Sequence, residues 1–268
     1  MKLKYIMFTK HLEGLDVTGI IKALQSVGVA GADLCVRPGY PVNPENVEKA
    51  LPAAAKQFAT EGLSIPLVTT PGDFVDPNID YAEPLYAACQ KAGVGNIKLG
   101  YWHWSKENGG YWPAVERIRQ LLEGFQELSK KYGVKTCIHN HSGASMGLNS
   151  CAAMNLVKGF DPQCIGVFAD PGHLSIVGEP IAMALDIVKD YLAVLAFKDL
   201  MRAPGTGVKV VRIGQGFVDW KSLLQTLSEI NFNGPVSFHS EYSGEPVDTV
   251  IDLARIDVRF INGLIEKL

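Results

Sequence analysis

Three apolar runs in this chain end on residues able to move protons or hold a cation. Cys137-Ile138-His139-Asn140-His141 leads into Ser142-Gly143, Asp170-Pro171-Gly172-His173 closes a second run, and His239-Ser240-Glu241 closes a third. Alternate side chains of a strand share a face, so His139 and His141 point the same way. Imidazole nitrogens and carboxylate oxygens drawn from separate strands suit a divalent transition ion such as Mn²⁺, Co²⁺ or Zn²⁺. His139, Asp170 and Glu241 are the candidate ligands. His141 and His173 are equally suited to binding substrate or orienting the ligands.

Other polar residues fall at equivalent run ends: Arg37, Thr69, Thr70, His103, Lys198 and His239. Plainer readings stand beside each. A strand-end histidine can be a hydrogen-bonded structural group, Asp170 can cap the turn before Gly172, and Lys198-Asp199 can be a salt-bridged strand end. Arg37, ahead of Pro38-Gly39, can be a solvated turn residue. Tyr101, Trp102, Trp104 and Trp112 can pack a loop, or form an aromatic wall against the C–H face of a sugar. Gly214-Gln215-Gly216 is too short for a phosphate loop and reads as a turn.

To bring such ends together the chain needs a repeating scaffold, and the hydrophobic pattern supplies one. Short apolar runs over 5–8, 31–36, 65–68, 96–99, 135–139, 165–169, 193–197 and 236–239 alternate with longer amphipathic stretches. Helices are expected over 16–27 with Asp16 as cap, 43–62, 81–92, 113–132, 150–160, 180–192 with Glu179 as a candidate cap, 220–230 with Asp219 as cap, and 247–268. The segment between Lys198 and Asp219 reads as loop. Near-continuous apolar strands imply burial on both faces, hence parallel pairing with helical crossovers. Eight strand–helix units fit a closed α/β (β/α)8 TIM barrel, where residues at the carboxyl ends of the strands converge on one mouth. An open doubly wound sheet is the weaker option, since no glycine-rich phosphate loop follows the first strand. With no composition shift to mark a linker, residues 1–268 read as one domain.

Bulk numbers narrow the partners. The chain has 268 residues, 47% hydrophobic and 20% charged, with a formal net charge of −3. It carries no Lys/Arg block, so neither nucleic acid nor an anionic membrane surface is an expected partner. No run is long and apolar enough to span a bilayer. Five cysteines without CxxC spacing fit packed thiols in a reducing compartment. Met1 to Lys10 lacks the apolar core of a signal peptide. A cytoplasmic location is expected, save for a leader already removed. Self-association is left open.

Several segments together resemble the xylose isomerase-like TIM-barrel superfamily, the sugar phosphate isomerases and epimerases. They are Asp33-Leu-Cys-Val-Arg-Pro-Gly39, Leu99-Gly-Tyr101, Asn140-His-Ser-Gly143, Asp170-Pro-Gly-His173, Lys198-Asp199, Gly214-Gln-Gly-Phe-Val-Asp219 and His239-Ser-Glu-Tyr242. The resemblance runs over nearly the whole chain and extends to inosose dehydratases and endonuclease IV. It implies a divalent metal held by Glu, Asp, His and Glu from strands five to eight. Those positions fall here on His139, Asp170, Ala196 and Glu241, so two of four depart from the pattern. Three functions follow. A metal-dependent isomerase or epimerase of a sugar or keto-sugar would use Glu241 or His139 to remove a carbon-bound proton, Lys198 to polarise the carbonyl, and a metal-stabilised enediolate, with Arg37, His173, His239 and Trp102 contacting substrate. A lyase or dehydratase of a keto-sugar or keto-cyclitol would add His141 or His173 as acid. A barrel without metal would bind carbohydrate and not turn it over, an idea favoured by Ala196.

Overall fold

A computed structural model describes residues 3–205 and 207–268. Ten strands are present among them: β1 (Lys4–Phe8), β2 (Gly31–Cys35), β3 (Ser64–Thr69), β4 (Asn96–Lys98), β5 (Lys135–His139), β6 (Ile165–Ala169), β7 (Leu192–Phe197), β8 (Asp199–Ala203), β9 (Gly207–Val211) and β10 (Pro235–Phe238). Eight of them close a parallel barrel in the order β1-β10-β7-β6-β5-β4-β3-β2. The expected barrel is therefore the observed one. Every residue of β2 and β6 is buried, which is why those runs lack polar–apolar alternation.

The crossover helices are α1 (Val17–Val27), α2 (Val47–Thr60), α3 (Ala82–Ala92), α4 (Tyr111–Tyr132), α5 (Ser150–Val157), α6 (Pro171–Ile176), α7 (Ile181–Val188), α8 (Trp220–Glu229) and α9 (Val247–Ile265). Helix α1 shows how local chemistry sets the bounds. The Asp16 carboxylate accepts from Gly19 N at 2.7 Å, satisfying an orphan amide of the first turn. Ile20, Ile21 and Leu24 face the barrel, and Gly28 ends the helix at φ +84°, a conformation open to glycine.

Two expectations need correction, and one of the plainer readings holds. Between Lys198 and Asp219 the chain is not plain loop: β8 and β9 pair antiparallel over the barrel mouth. Asp170 is followed at once by α6, with Pro171 in its first turn and the Asp170 carboxylate accepting from His173 N at 3.1 Å; the capping reading of Asp170 is correct. Glu179 does not cap α7. Its carboxylate accepts from Ser150 N, at the start of α5, and Pro180 stands at the α7 N-terminus.

Asp199 explains the Gly214-Gln215-Gly216 turn. Its buried carboxylate accepts from Gly214 N at 2.9 Å, Gly216 N at 3.0 Å, Val218 N at 3.2 Å and Trp220 Nε1 at 2.9 Å. A Cβ on Gly216 would stand 2.1 Å from Asp199 Oδ1, so glycine is required by close approach. Lys198 and Asp199 are thus not a salt-bridged pair. Each unsatisfied buried donor costs about 1–3 kcal/mol, so Asp199→Ala is expected to lower stability by at least about 3 kcal/mol in urea denaturation. A loss of under about 1 kcal/mol would mean that water replaces the carboxylate.

Candidate active site at the barrel mouth

Strand order decides which residues meet. β7 lies between β6 and β10. Lys198, one residue past β7, is therefore flanked by Asp170 past β6 and by His239 and Glu241 past β10. The register pairs Phe197 with Phe238 and His139 with Phe168, which sets Lys198 level with His239 and His139 just below Asp170. A cavity of about 510 Å³ opens there. Its lining includes Arg37, Thr69, His139, His141, His173, Lys198, His239 and Glu241, so most of the predicted site residues face one space, while Asp170, Thr70, His103 and Trp102 do not line it.

At its floor Lys198 Nζ lies 3.0 Å from Asp170 Oδ2 and 3.3 Å from Glu241 Oε1. Only 5% of the lysine side chain is exposed, and Asp170 is fully buried. Burial opposes both charges, yet the partners prevail. The two carboxylates hold the Lys198 ammonium above the ordinary lysine range, and the ammonium, with His173 and His139, holds Asp170 well below the ordinary carboxylate range. Glu241 is likewise held well down against its burial, by Lys198 first. Lys10, on the turn after β1, adds a contact of 3.0 Å to Glu241 Oε2. Tyr242 anchors the Glu241 loop by donating to Asp257 on α9, whose carboxyl burial raises to about 6.

The histidines differ in state. His239 Nε2 contacts Asp33 Oδ2 and its Nδ1 contacts Glu241 Oε1, both at 3.3 Å. These carboxylates overcome burial and raise it above the usual histidine value. His139 is pushed down to about 3 by burial; its Nδ1 sits 2.7 Å from Tyr101 Oη. Its Nε2 is 3.3 Å from Asp170 Oδ2, without hydrogen-bond geometry. His141 and His173 are also lowered by burial, and the rings stand 3.8 Å apart. Their tautomers are opposite. His141 Nδ1 faces the Ser142 carbonyl at 2.8 Å, so it carries the proton and leaves Nε2 a lone pair. His173 Nδ1 accepts from Ser142 N and sits 2.8 Å from Ser142 Oγ, which leaves Nε2 the proton.

One placement differs from expectation. Trp102 does not line the cavity; it packs against the core and its carbonyl accepts from Met146 N. Phe8 and Tyr101 are the aromatic lining instead. Two buried charged residues, Lys98 and Asp33, were not among the candidate site residues. Lys98 is buried with Nζ 3.6 Å above the Tyr101 ring and, among the described residues, without a hydrogen-bond partner; burial, then Arg37, depress its pKa well below the lysine norm. Asp33 accepts from Thr69 Oγ1 at 2.6 Å and from Ser237 Oγ at 2.9 Å. Tyr101 orients His139. Arg37 meets the cavity while donating to the Thr70 carbonyl.

The donor set does not fit a divalent ion. Such sites need about three or four converging protein donors. Among the described residues no group of three or more His, Cys, Asp or Glu side chains is arranged to hold a metal. The proposed triad of His139, Asp170 and Glu241 is interrupted by the Lys198 ammonium, and Ala196, buried among Cys137, Phe168 and Val194, supplies no donor.

Comparison with known proteins gives a concordant picture of the fold. A family model described as xylose isomerase-like TIM barrel matches residues 15–262. Inosose dehydratase of Lactiplantibacillus plantarum is 22% identical over 160 residues, which is 54% of this chain and 53% of that protein. The chain thus spans about half the length of the curated relatives it matches. Among solved structures, L-ribulose 3-epimerase superposes with a TM-score of 0.78 at 14% identity, covering 99% of this chain and 95% of that one. The IolI protein with a bound zinc atom gives 0.74 at 17% identity, covering 97% and 98%.

Proposed function

The chain belongs to the xylose isomerase-like TIM-barrel family, and from that premise we propose that it is an enzyme acting on a sugar or keto-sugar by removing the proton next to a carbonyl, as an isomerase or epimerase does. One observation carries the reading: a fixed cation, Lys198, stands 3.3 Å from the carboxylate of Glu241 at the floor of a cavity of sugar size. An electrophile beside a base is what enolisation needs. Lys198 donates to the carbonyl oxygen and stabilises the charge that develops there, while Glu241 takes the carbon-bound proton. Asp170 keeps the ammonium in place and charged. Arg37 and His239 border the space where substrate hydroxyls would lie. Divalent metal, where a family member holds it, supplies the same charge stabilisation at a carbonyl oxygen; no step above depends on it.

A second reading, elimination of water from a keto-sugar or keto-cyclitol, is favoured by the His141–His173 pair. Two neutral imidazoles of opposite tautomer, 3.8 Å apart, offer a donor to a departing hydroxyl and an acceptor beside it. The activity named for the curated relatives points the same way. A panel of keto-sugars and keto-cyclitols in D₂O tests both. Deuterium entering an intact sugar is the expected result. Product lighter by one water would move the assignment to the lyase. No exchange and no loss from any member of the panel would end both readings.

A further inference from the structure

We propose that the Lys198 ammonium is the resident cation of this site, so that the chemistry runs without a divalent metal; this rests on the enolisation reading above. The argument begins from position. Lys198 follows β7, whose two barrel neighbours end in Asp170 and Glu241. A single positive atom one residue past β7 is equidistant, to within a few tenths of an ångström, from a carboxylate on either side: 3.0 and 3.3 Å. Such a point is where two anions from neighbouring strands need a positive charge, and the chain fills it from its own sequence.

The surroundings keep it there. At 5% exposure the ammonium cannot trade its partners for water. Withdrawing it would leave a fully buried Asp170 without its main counter-charge, a costly state. The neighbouring histidines each have one ring nitrogen held, and their Nε2 atoms, 3.3 and 3.9 Å from Asp170 Oδ2, have no hydrogen-bond partner among the described residues. His139 Nδ1 is held by Tyr101 and His173 Nδ1 by Ser142. Ala196, two residues before Lys198 and pointing into the barrel core, offers carbon only. A divalent ion at Asp170 Oδ2 would have to displace the lysine, and among the described residues no group of three or more His, Cys, Asp or Glu side chains is arranged to take it.

The substitution has a consequence for the substrate. An ammonium has three N–H donors. One goes to Glu241, and the charge is also held 3.0 Å from Asp170, so the side of the ammonium that faces the cavity presents a single atom to one oxygen. A chelated ion would grip two neighbouring oxygens. The carbonyl oxygen alone is therefore the handle, and a ketone lacking the adjacent hydroxyl should still be enolised, with deuterium entering at its α-carbon.

Two arms test this on the full chain. In the first, protein stripped with EDTA is mixed with Mn²⁺, Co²⁺ or Zn²⁺, and bound metal and the thermal midpoint are measured. The expected midpoint stays within about 1 °C with no retained ion, whereas an ion at about a hundred times its Kd would raise it by several degrees. Stoichiometric retention with that rise overturns the proposal. In the second, deuterium exchange into the keto-sugar is followed with and without EDTA. Unchanged exchange supports the lysine, and loss restored by one of the ions refutes it. Should no compound exchange under any condition, the enolisation reading falls, and the metal-binding arm still decides whether the lysine excludes an ion.

Discussion

Lys198→Met is expected to cost the enzyme roughly 10³-fold or more in the rate of proton exchange, and about 3–5 kcal/mol in stability. The two losses have one cause. Methionine matches the lysine in length and apolar stem but removes the charge between Asp170 and Glu241. The developing enolate loses its donor, and Asp170, fully buried, is left with neutral imidazoles. Lys198→Arg retains the charge yet places a planar fork where a point charge fits. It is expected to recover most of the stability and only part of the rate.

The pH dependence gives this prediction a sign that a generic packing defect would not share. In the parent, Asp170 and Glu241 are held well below the ordinary carboxylate range. Their contribution is present above the unfolded carboxylate pKa and is lost as pH falls through the depressed values. In Lys198→Met the largest remaining influence on Asp170 is burial, which raises it. A group with a raised pKa contributes stability that is present at low pH and is lost as pH rises through it. The urea midpoint of the variant should therefore fall between roughly pH 4.5 and 7 relative to the parent. Lys198 lowers His239 in the parent, so its removal raises His239 further, and that stability too is lost as pH rises, in the same direction as for Asp170. Parallel curves would remove Lys198 from the account of Asp170.

The sequence was legible where periodicity alone decides structure. β5 and β6 run over the expected residues, because a short buried strand bounded by glycine and polar residues has few alternative readings. The converging ends of β5, β6, β7 and β10 followed from closure of eight units. Legibility failed in two places, for different physical reasons. The β8–β9 hairpin buries only Asp199 and Leu200 fully; its alternation in Val208, Lys209 and Val210 is faint, and only Pro204-Gly205 marks the turn. Lys98 and Asp33 are inconspicuous in the sequence because each is a single charge inside an apolar strand. Yet a charge in a strand buried on both faces must be paired or used. Asp33 pairs with His239, Thr69 and Ser237. Lys98 lies against Tyr101 in the cavity wall. Trp102 misled in the other direction. Aromatic residues in a loop suggest a sugar platform, but a strand-end tryptophan has an equally good place against the core.

Glu241→Gln gives the second large effect, and it separates base from scaffold. Gln keeps the length of the side chain and an oxygen that can accept from Lys198, so the fold is expected to change little. It cannot take a proton. Exchange of the substrate's α-hydrogen should fall by about 10²–10⁴-fold, chiefly in kcat. Glu241 is held well below the ordinary carboxylate range and stays ionised through neutral pH, so the parent's exchange rate should change there only where His239, which contacts Glu241 and is raised above the usual histidine value, loses its proton; the variant should lie below it throughout. A second readout does not depend on activity. His239 is held up by Asp33 and Glu241 together, so removing one carboxylate should lower its titration midpoint, visible in the imidazole proton resonances. If His239 shifts while exchange is unaffected, Glu241 is a positioning residue and the base must be sought at His141, whose Nε2 lone pair is the next acceptor along the same wall.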